Sequence, residues 1–297
     1  MTGGTGFVGQ TLVPALIADG HAVTILTRRT TPLDGPLASA RLVHWSGPPD
    51  DIPDDALGAV DAIINLAGES VGGGRWTANR KDTLFKSRVE TTRWLVAMVD
   101  QLPQKPRVFI SASAVGYYGP RGDEEITEAS QPGDDFLATL CMHWEDEAKA
   151  IVKHEVRLAL LRIGLVLGPG GGVLPRLMLP FRFFAGGPLG SGRQVMSWIH
   201  IDDLVAIVRF VLDNESISGP LNVTAPNPQT NREFAKALGR AMHRPSLLPV
   251  PAFVLRLVLG EMSDSALTGQ RAIPKRLTEH GFQFQYPELD DALRDIL

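Results

Sequence analysis

Hydrophobic positions fall in short, dense runs through the first half of the chain. His21–Leu26 (HAVTIL), Arg41–Trp45 (RLVHW), Val60–Leu66 (VDAIINL), Arg107–Ser113 (RVFISAS) and Val156–Ile163 (VRLALLRI) are each rich in Val, Ile and Leu. Runs of this length fit strands buried on both faces, as in a parallel sheet. Helix-length stretches separate them: Gln10–Asp19, Trp76–Gln101 and Asp134–His154. Strand, helix, strand in this rhythm predicts an α/β, Rossmann-type doubly wound parallel sheet. Pro14 falls inside the first helix and is expected to kink it. After Leu167 the texture changes to the glycine-rich Gly168–Gly172 and Ala185–Gly192 and the proline-rich Pro245–Pro251. Helices are predicted over Asp203–Leu212, Thr230–Met242, Ala252–Gly260 and Glu288–Ile296. Residues 1–167, rejoined by about 196–225, read as the Rossmann domain. Residues 168–195 and 226–297 read as a smaller, mainly helical lobe.

Composition narrows the function classes. Of 297 residues 44% are hydrophobic and 21% charged, ordinary for a globular chain. A formal net charge of −4 gives no reason to expect nucleic acid or an anionic membrane as partner. Cys141 is the one cysteine, so an intrachain disulfide is impossible and a reducing compartment is expected. The start of the chain lacks a basic segment followed by an apolar run, the mark of a signal peptide. Apolar stretches such as Phe253–Leu259, broken by Arg256, are too short to span a bilayer. A cytoplasmic protein is expected. The seven histidines are scattered without metal-ligand spacing, so no metal site is expected.

The strongest local signal is Thr2–Gly9 (TGGTGFVG), with glycines 3, 6 and 9 spaced by three. Such a loop turns tightly, lets the backbone approach a pyrophosphate and seats its charge at a helix N-terminus. About one helix later the run HAVTIL ends in Thr27, Arg28 and Arg29. An NAD-binding unit carries an acid near this point for the ribose 2′-hydroxyl. Two arginines instead suit a 2′-phosphate, whose oxygens match the guanidinium fork, so NADP(H) is favoured over NAD(H). The bland alternative is a pair of solvated loop charges. Only Met1 and Thr2 precede Gly3, so the strand that should feed the loop is missing. Three buried aliphatic side chains there would contribute roughly 5–9 kcal/mol, so a natural start a few residues upstream is expected, or else a gap or an alternative filling in the sheet.

Further motifs follow in order: Asn65–Gly68 (NLAG), Arg75–Thr77 (RWT), Ser87–Arg88, Ser111–Gly119 (SASAVGYYG), Trp144–Glu145, Leu161–Gly168 (LRIGLVLG), Trp198–Asp203 (WIHIDD), Ala225–Pro228 (APNP), Gly260–Met262 and Gly281–Phe282. Over its whole length the chain resembles the epimerase-like subfamily of atypical extended short-chain dehydrogenases/reductases, which carries a C-terminal domain of unknown function. The resemblance implies that Gly3, Thr5, Gly6, Phe7 and Val8 meet the cofactor pyrophosphate and Thr27 and Arg28 its 2′-phosphate. Leu66, Ala67 and Gly68 fall on the adenosine side, with Leu167 also beside the cofactor. Arg88 stands where extended members carry an asparagine near the phosphates. Its alternative is a helix-surface arginine paired with an acid.

Hydride-transfer members of the superfamily use a Tyr-x-x-x-Lys pair with a serine, the lysine lowering the phenol's pKa. Here the residues four positions after Tyr117, Tyr118 and Tyr286 are Arg121, Gly122 and Asp290. On the helix where the pair belongs, Leu137 and Cys141 take the two positions. Ser113 aligns with the serine; alternatively it caps a turn at the strand end. Tyr117 or Tyr118, one turn beyond, is the candidate displaced acid, against simple packing. Cys141 reads as a buried inert thiol. His200 reads as a tie between a strand and the helix at Asp203. Met196 and Ser197 stand where sugar-nucleotide enzymes place an arginine, with Arg193 nearby, so a sugar nucleotide is possible but not indicated. Leu174–Phe184, with Arg176 and Arg182, reads as a pocket wall or as core. Two functional readings result: an NADP(H)-dependent oxidoreductase or epimerase-like enzyme with a small-molecule substrate, or an NADPH-binding sensor without turnover.

Overall fold

The computed structural model of the chain describes residues 1–50, 52 and 57–297. The glycine loop leads directly into helix α1 (Phe7–Ala18), which continues through Pro14. The proline removes one amide donor, but Leu12, Val13 and Leu16 around it are buried and hold the helix on the core. Strands β1 (Thr24–Thr27), β2 (Arg41–His44) and β3 (Ala62–Asn65) precede helix α2 (Ala78–Met98). Next come β4 (Val108–Ala114), β5 (Glu125–Ile126), α3 (Phe136–Lys149), β6 (Arg157–Ile163) and β7 (Leu165–Leu167). α4 (Leu174–Arg182), β8 (Val195–Met196), β9 (Trp198–His200), α5 (Ile201–Asp213) and β10 (Gly219–Val223) follow. The chain ends with β11 (Gln229–Thr230), α6 (Asn231–Ala241), α7 (Ala252–Leu259), α8 (Met262–Leu267), β12 (Arg271–Ala272), α9 (Lys275–Glu279) and α10 (Leu289–Ile296).

β1 pairs with β2, and β3–β4–β6–β10 pair in that order, every pairing parallel. The expected gap between the two sets is closed by Met1 and Thr2. Thr2 bridges Leu26 on one side and Asn65 on the other. Its amide donates to Ile64 at 3.0 Å, and the Leu26 amide donates to Met1 at 2.8 Å. Two residues thus complete a sheet ordered β2–β1–(Met1–Thr2)–β3–β4–β6–β10. The strand order reverses at this stub, and in open α/β sheets ligands bind beyond the carboxyl ends of the strands at such a point.

Alternate residues of each strand feed the two faces. Ile64, Ile110, Ala159 and Leu161 join Leu12 and Leu16 of α1 and Leu204, Ile207, Val208 and Val211 of α5. Their neighbours Ile63, Phe109, Leu158 and Leu160 pack on Leu95, Val96 and Met98 of α2 and Ala148 of α3. Caps fix where the helices begin: Thr77 accepts from the Arg80 amide, Asp135 from that of Ala138, and Thr230 and Glu233 form a reciprocal capping box. Within the apolar run Leu174–Phe184, Leu174–Arg182 form α4, with proline in its first turn, where the missing amide costs nothing, and Leu174 and Phe181 buried in the core. Short pairings β7–β9, β8–β11 and β5–β12 stitch the remaining segments. Among the described residues no helix is long and apolar enough to cross a membrane.

Candidate functional site

The loop at the switch point is shaped by close approach. Gly3 has φ +70°, and a Cβ there would lie 2.6 Å from the Leu66 carbonyl oxygen, so the loop presses on the exit of β3. A Cβ on Gly9 would stand 2.5 Å from the Gly3 carbonyl oxygen, so α1 packs onto its own loop. Gly6 differs: it is exposed, and a Cβ would meet only the Gly3 oxygen at 3.2 Å. α1 starts without a side-chain cap and without an acid in its first turn, leaving uncapped amides facing outward as anion donors. Thr5 is half-buried and its carbonyl accepts from Gln10 at 3.2 Å. The Phe7 ring rests on the second glycine loop, where a Cβ on Gly172 would approach it to 2.8 Å. Val8 packs against the core, and Leu167 is fully buried where β7 enters that second loop.

β1 ends at Thr27, whose Oγ1 accepts from the Arg29 amide at 3.2 Å. Arg29 turns aside to Thr31 and Asp34, at 2.6 and 3.3 Å. Arg28 is exposed and reaches across to Glu69, 3.4 Å away. Leu66, Ala67 and Gly68 carry the chain out of β3 over buried Asn65. That side chain accepts from the Thr2 hydroxyl (2.7 Å) and the Ala67 amide (3.3 Å) and donates to Thr92 (2.8 Å). Arg88 is not the helix-surface arginine paired with an acid. Half-buried, it donates to the Glu69 and Leu84 carbonyls at 2.8 and 3.2 Å and pins the strand exit to α2. Burial holds its pKa below the usual arginine value.

At the end of β4 the chemistry departs from what the residue types promise. Ser113 is buried and donates to Glu145 Oε1 at 2.7 Å. Glu145, from α3, forms a two-pronged ion pair with Arg162 of β6, at 2.8 and 2.9 Å. Arg162 also donates to the Tyr118 hydroxyl at 2.9 Å, and that hydroxyl donates to Asn222 at 2.6 Å. Burial alone would lower Arg162, but the Glu145 carboxylate more than offsets it and holds the guanidinium above its ordinary value. Tyr118 is fully buried with its hydroxyl held between Arg162 and Asn222, and burial pushes its phenol up to about 12. Tyr117 is half-buried, with the Arg162 guanidinium 3.6 Å from its ring centroid.

Leu137 and Cys141 lie on α3 where expected, and the thiol is buried. Burial, reinforced by the Glu145 charge, pushes it up to about 12. Arg88 is close enough to oppose that rise, a neighbouring cation that sequence reading did not see. In the sequence Glu145 and Arg162 stand only as parts of the motifs Trp144–Glu145 and Leu161–Gly168. The available signal was an arginine inside an otherwise aliphatic buried run, which demands a facing acid.

His200 caps α5, its Nδ1 accepting from the Asp202 amide at 3.1 Å, and its ring lies 3.9 Å from that of Tyr286. Burial holds its pKa below the ordinary value despite Asp202 and Asp295 nearby. Asp203 accepts from the Gln285 and Tyr286 amides at 2.7 and 2.9 Å, tying the C-terminal segment to α5. The fold thus gathers His200, Asp202 and Asp295, which sequence spacing had not related. With Nδ1 accepting, the ring proton belongs on Nε2, 3.4 Å from Asp295, so that nitrogen offers a donor rather than a lone pair to a cation. Ser197 Oγ donates to the Gln270 carbonyl at 2.7 Å, and Arg193 is exposed.

A parallel sheet with a glycine loop at its switch point and a serine ending the following central strand defines a short-chain dehydrogenase-like nucleotide-binding fold. The profile of the NAD-dependent epimerase/dehydratase family matches residues 1–224, and that of a domain of unknown function, DUF1731, matches residues 250–296. The chain belongs to the NAD-dependent epimerase/dehydratase family. It is 42% identical to the epimerase family protein YfhF of Bacillus subtilis over 298 residues, covering 100% of this chain and 97% of that one. The solved human epimerase family protein SDR39U1, in complex with NADPH, superposes with TM-score 0.87 at 36% identity, covering 99% of this chain and 97% of that one. A nucleoside-diphosphate sugar epimerase from Corynebacterium glutamicum gives TM-score 0.78 at 33% identity, covering 100% of this chain and 57% of that one.

Proposed function

We propose that this chain binds NADP(H) across the glycine loop and acts as an epimerase-like oxidoreductase on a small molecule held against residues 168–195 and 226–297. The observation that carries the cofactor half is the switch-point cradle. Uncapped α1 amides beside Gly6 and exposed Arg28 just past β1 lie beyond the carboxyl ends of neighbouring parallel strands at the switch point, and the human relative was solved with NADPH. Gly3, Thr5, Gly6, Phe7 and Val8 would hold the pyrophosphate. Thr27 and Arg28 would hold the 2′-phosphate, Leu66, Ala67 and Gly68 the adenosine side, with Arg88 and Leu167 supporting the walls. Bound there, NADP(H) supplies a hydride donor or acceptor.

Tyr117 is the residue best suited to exchange a proton with the substrate, since its phenol lies half-buried against a fixed cation. Ser113 Oγ, its hydrogen committed to Glu145, can only accept, so it would orient a substrate hydroxyl rather than polarise a carbonyl. A second reading, an NADPH sensor without turnover, draws on one observation. Leu137 and Cys141 replace the usual pair, and a closed Ser113–Glu145–Arg162 network occupies the space behind them.

Titration of NADPH and NADH into wild type and Arg28→Ala tests the cofactor half. NADPH should bind more tightly, and the variant should lose about tenfold or more, the worth of a charge-assisted contact. Screening carbonyl and sugar-nucleotide compounds for NADPH oxidation tests the rest. Turnover abolished in Tyr117→Phe supports the enzyme. Silence across both panels with NADPH binding intact supports the sensor.

A further inference from the structure

Glu69 occupies an unusual position. Its main chain is clamped on both sides, the amide donating to Ser87 Oγ at 3.2 Å and the carbonyl accepting from Arg88 at 2.8 Å. The side chain therefore extends from a fixed point of the backbone. There Oε1 lies 3.4 Å from Arg28 and Oε2 lies 3.5 Å from Arg80. Arg29, the other cation at the end of β1, is already paired with Asp34. Arg28 is thus the arginine at this strand end not engaged by Asp34, and Glu69 is its counterion.

We propose that Glu69 is a specificity-determining residue whose carboxylate competes with the cofactor 2′-phosphate for Arg28. The inference rests on the NADP(H) reading above. A 2′-phosphate reaching Arg28 must displace a carboxylate of the same sign, which retains Arg80 as partner and stays close. An unphosphorylated 2′-hydroxyl meets no such rival, because a carboxylate accepts a hydrogen bond from it. Glu69 therefore weakens NADPH selectively and narrows the preference that Arg28 creates. Arg28 is 78% exposed and Glu69 34% exposed at their side chains, so the competition is that of a surface ion pair and is screened by salt.

The test is the dissociation constants of NADPH and NADH for wild type, Glu69→Gln, Glu69→Asp and the double variant Arg28→Ala/Glu69→Gln, at low and high salt. Glu69→Gln should tighten NADPH by about two- to fivefold and leave NADH unchanged or weaker, with the gain fading at high salt. Glu69→Asp keeps the charge and should stay near wild type. In the Arg28→Ala background the gain should shrink. NADPH affinity unchanged or lowered in Glu69→Gln overturns the proposal. So does an equal gain for NADH, or a gain undiminished without Arg28. Failure of wild type to bind NADPH at all overturns the cofactor reading and this proposal together, whereas the other failures leave the cofactor reading standing.

Discussion

Gly6 and Gly9 stand three residues apart in one loop, yet a methyl group acts differently at each. Gly6 has φ −80° and a Cβ there would meet only the Gly3 carbonyl oxygen, at a tight 3.2 Å, so Gly6→Ala should cost no more than about 1 kcal/mol of stability. The methyl would nevertheless hold off the pyrophosphate, and NADPH affinity should fall at least about tenfold. Gly9→Ala would drive its Cβ into the Gly3 carbonyl and should cost about 1–3 kcal/mol, the usual penalty of overpacking. Urea denaturation and NADPH titration of both variants separate the two effects. The Glu145–Arg162 pair is a different kind of site, with side chains 0% and 5% exposed. Arg162→Met strands a buried carboxylate and should lower stability by about 3–5 kcal/mol in the same denaturation assay. Replacing both partners with apolar residues should recover much of that loss.

At the scale of elements, α5 depends on a histidine cap. The folded pKa of His200 lies below its ordinary value of 6.5, so across the window between them the unfolded chain takes up a proton that the folded protein refuses. Its contribution to stability is complete above about pH 6.5 and is lost as the pH falls through that window. The urea midpoint should therefore drop as the pH falls below about 6.5. His200→Asn, which keeps an acceptor for the Asp202 amide, should flatten the slope. A midpoint as steeply pH-dependent in His200→Asn as in wild type would assign the effect to other groups. Element boundaries show how far local pattern reaches. β4 and β6 follow their hydrophobic runs almost residue for residue, because both faces are buried. β1 starts at Thr24 rather than His21, since His21 and Ala22 are exposed. α4 was illegible because two prolines and an aliphatic run obscure helical periodicity, and tertiary packing of Leu174 and Phe181 overrides both.

For the whole molecule, a cofactor that binds only the folded state must stabilise it. NADPH at about one hundred times its dissociation constant should add about 2.7 kcal/mol, visible as a rise of several degrees in the melting temperature. NADH at the same concentration should raise it less, and Arg28→Ala should reduce the difference. The scaffold that makes this possible is one sheet joined across Met1 and Thr2, where Thr2 bridges β1 and the end of β3.

The sequence by itself determined the fold class, the position of the glycine loop and the absence of a Tyr-x-x-x-Lys pair. These follow from local periodicity, residue type and spacing, which need no knowledge of what lies opposite. Tertiary structure alone decided that Ser113 is bound by Glu145, that Tyr118 is committed and Tyr117 is not, and that Glu69 faces Arg28. The partners in those contacts stand 32 to 104 residues apart in the chain. Nothing local encodes which buried charges meet, because that is set by strand order and by which helix covers which face.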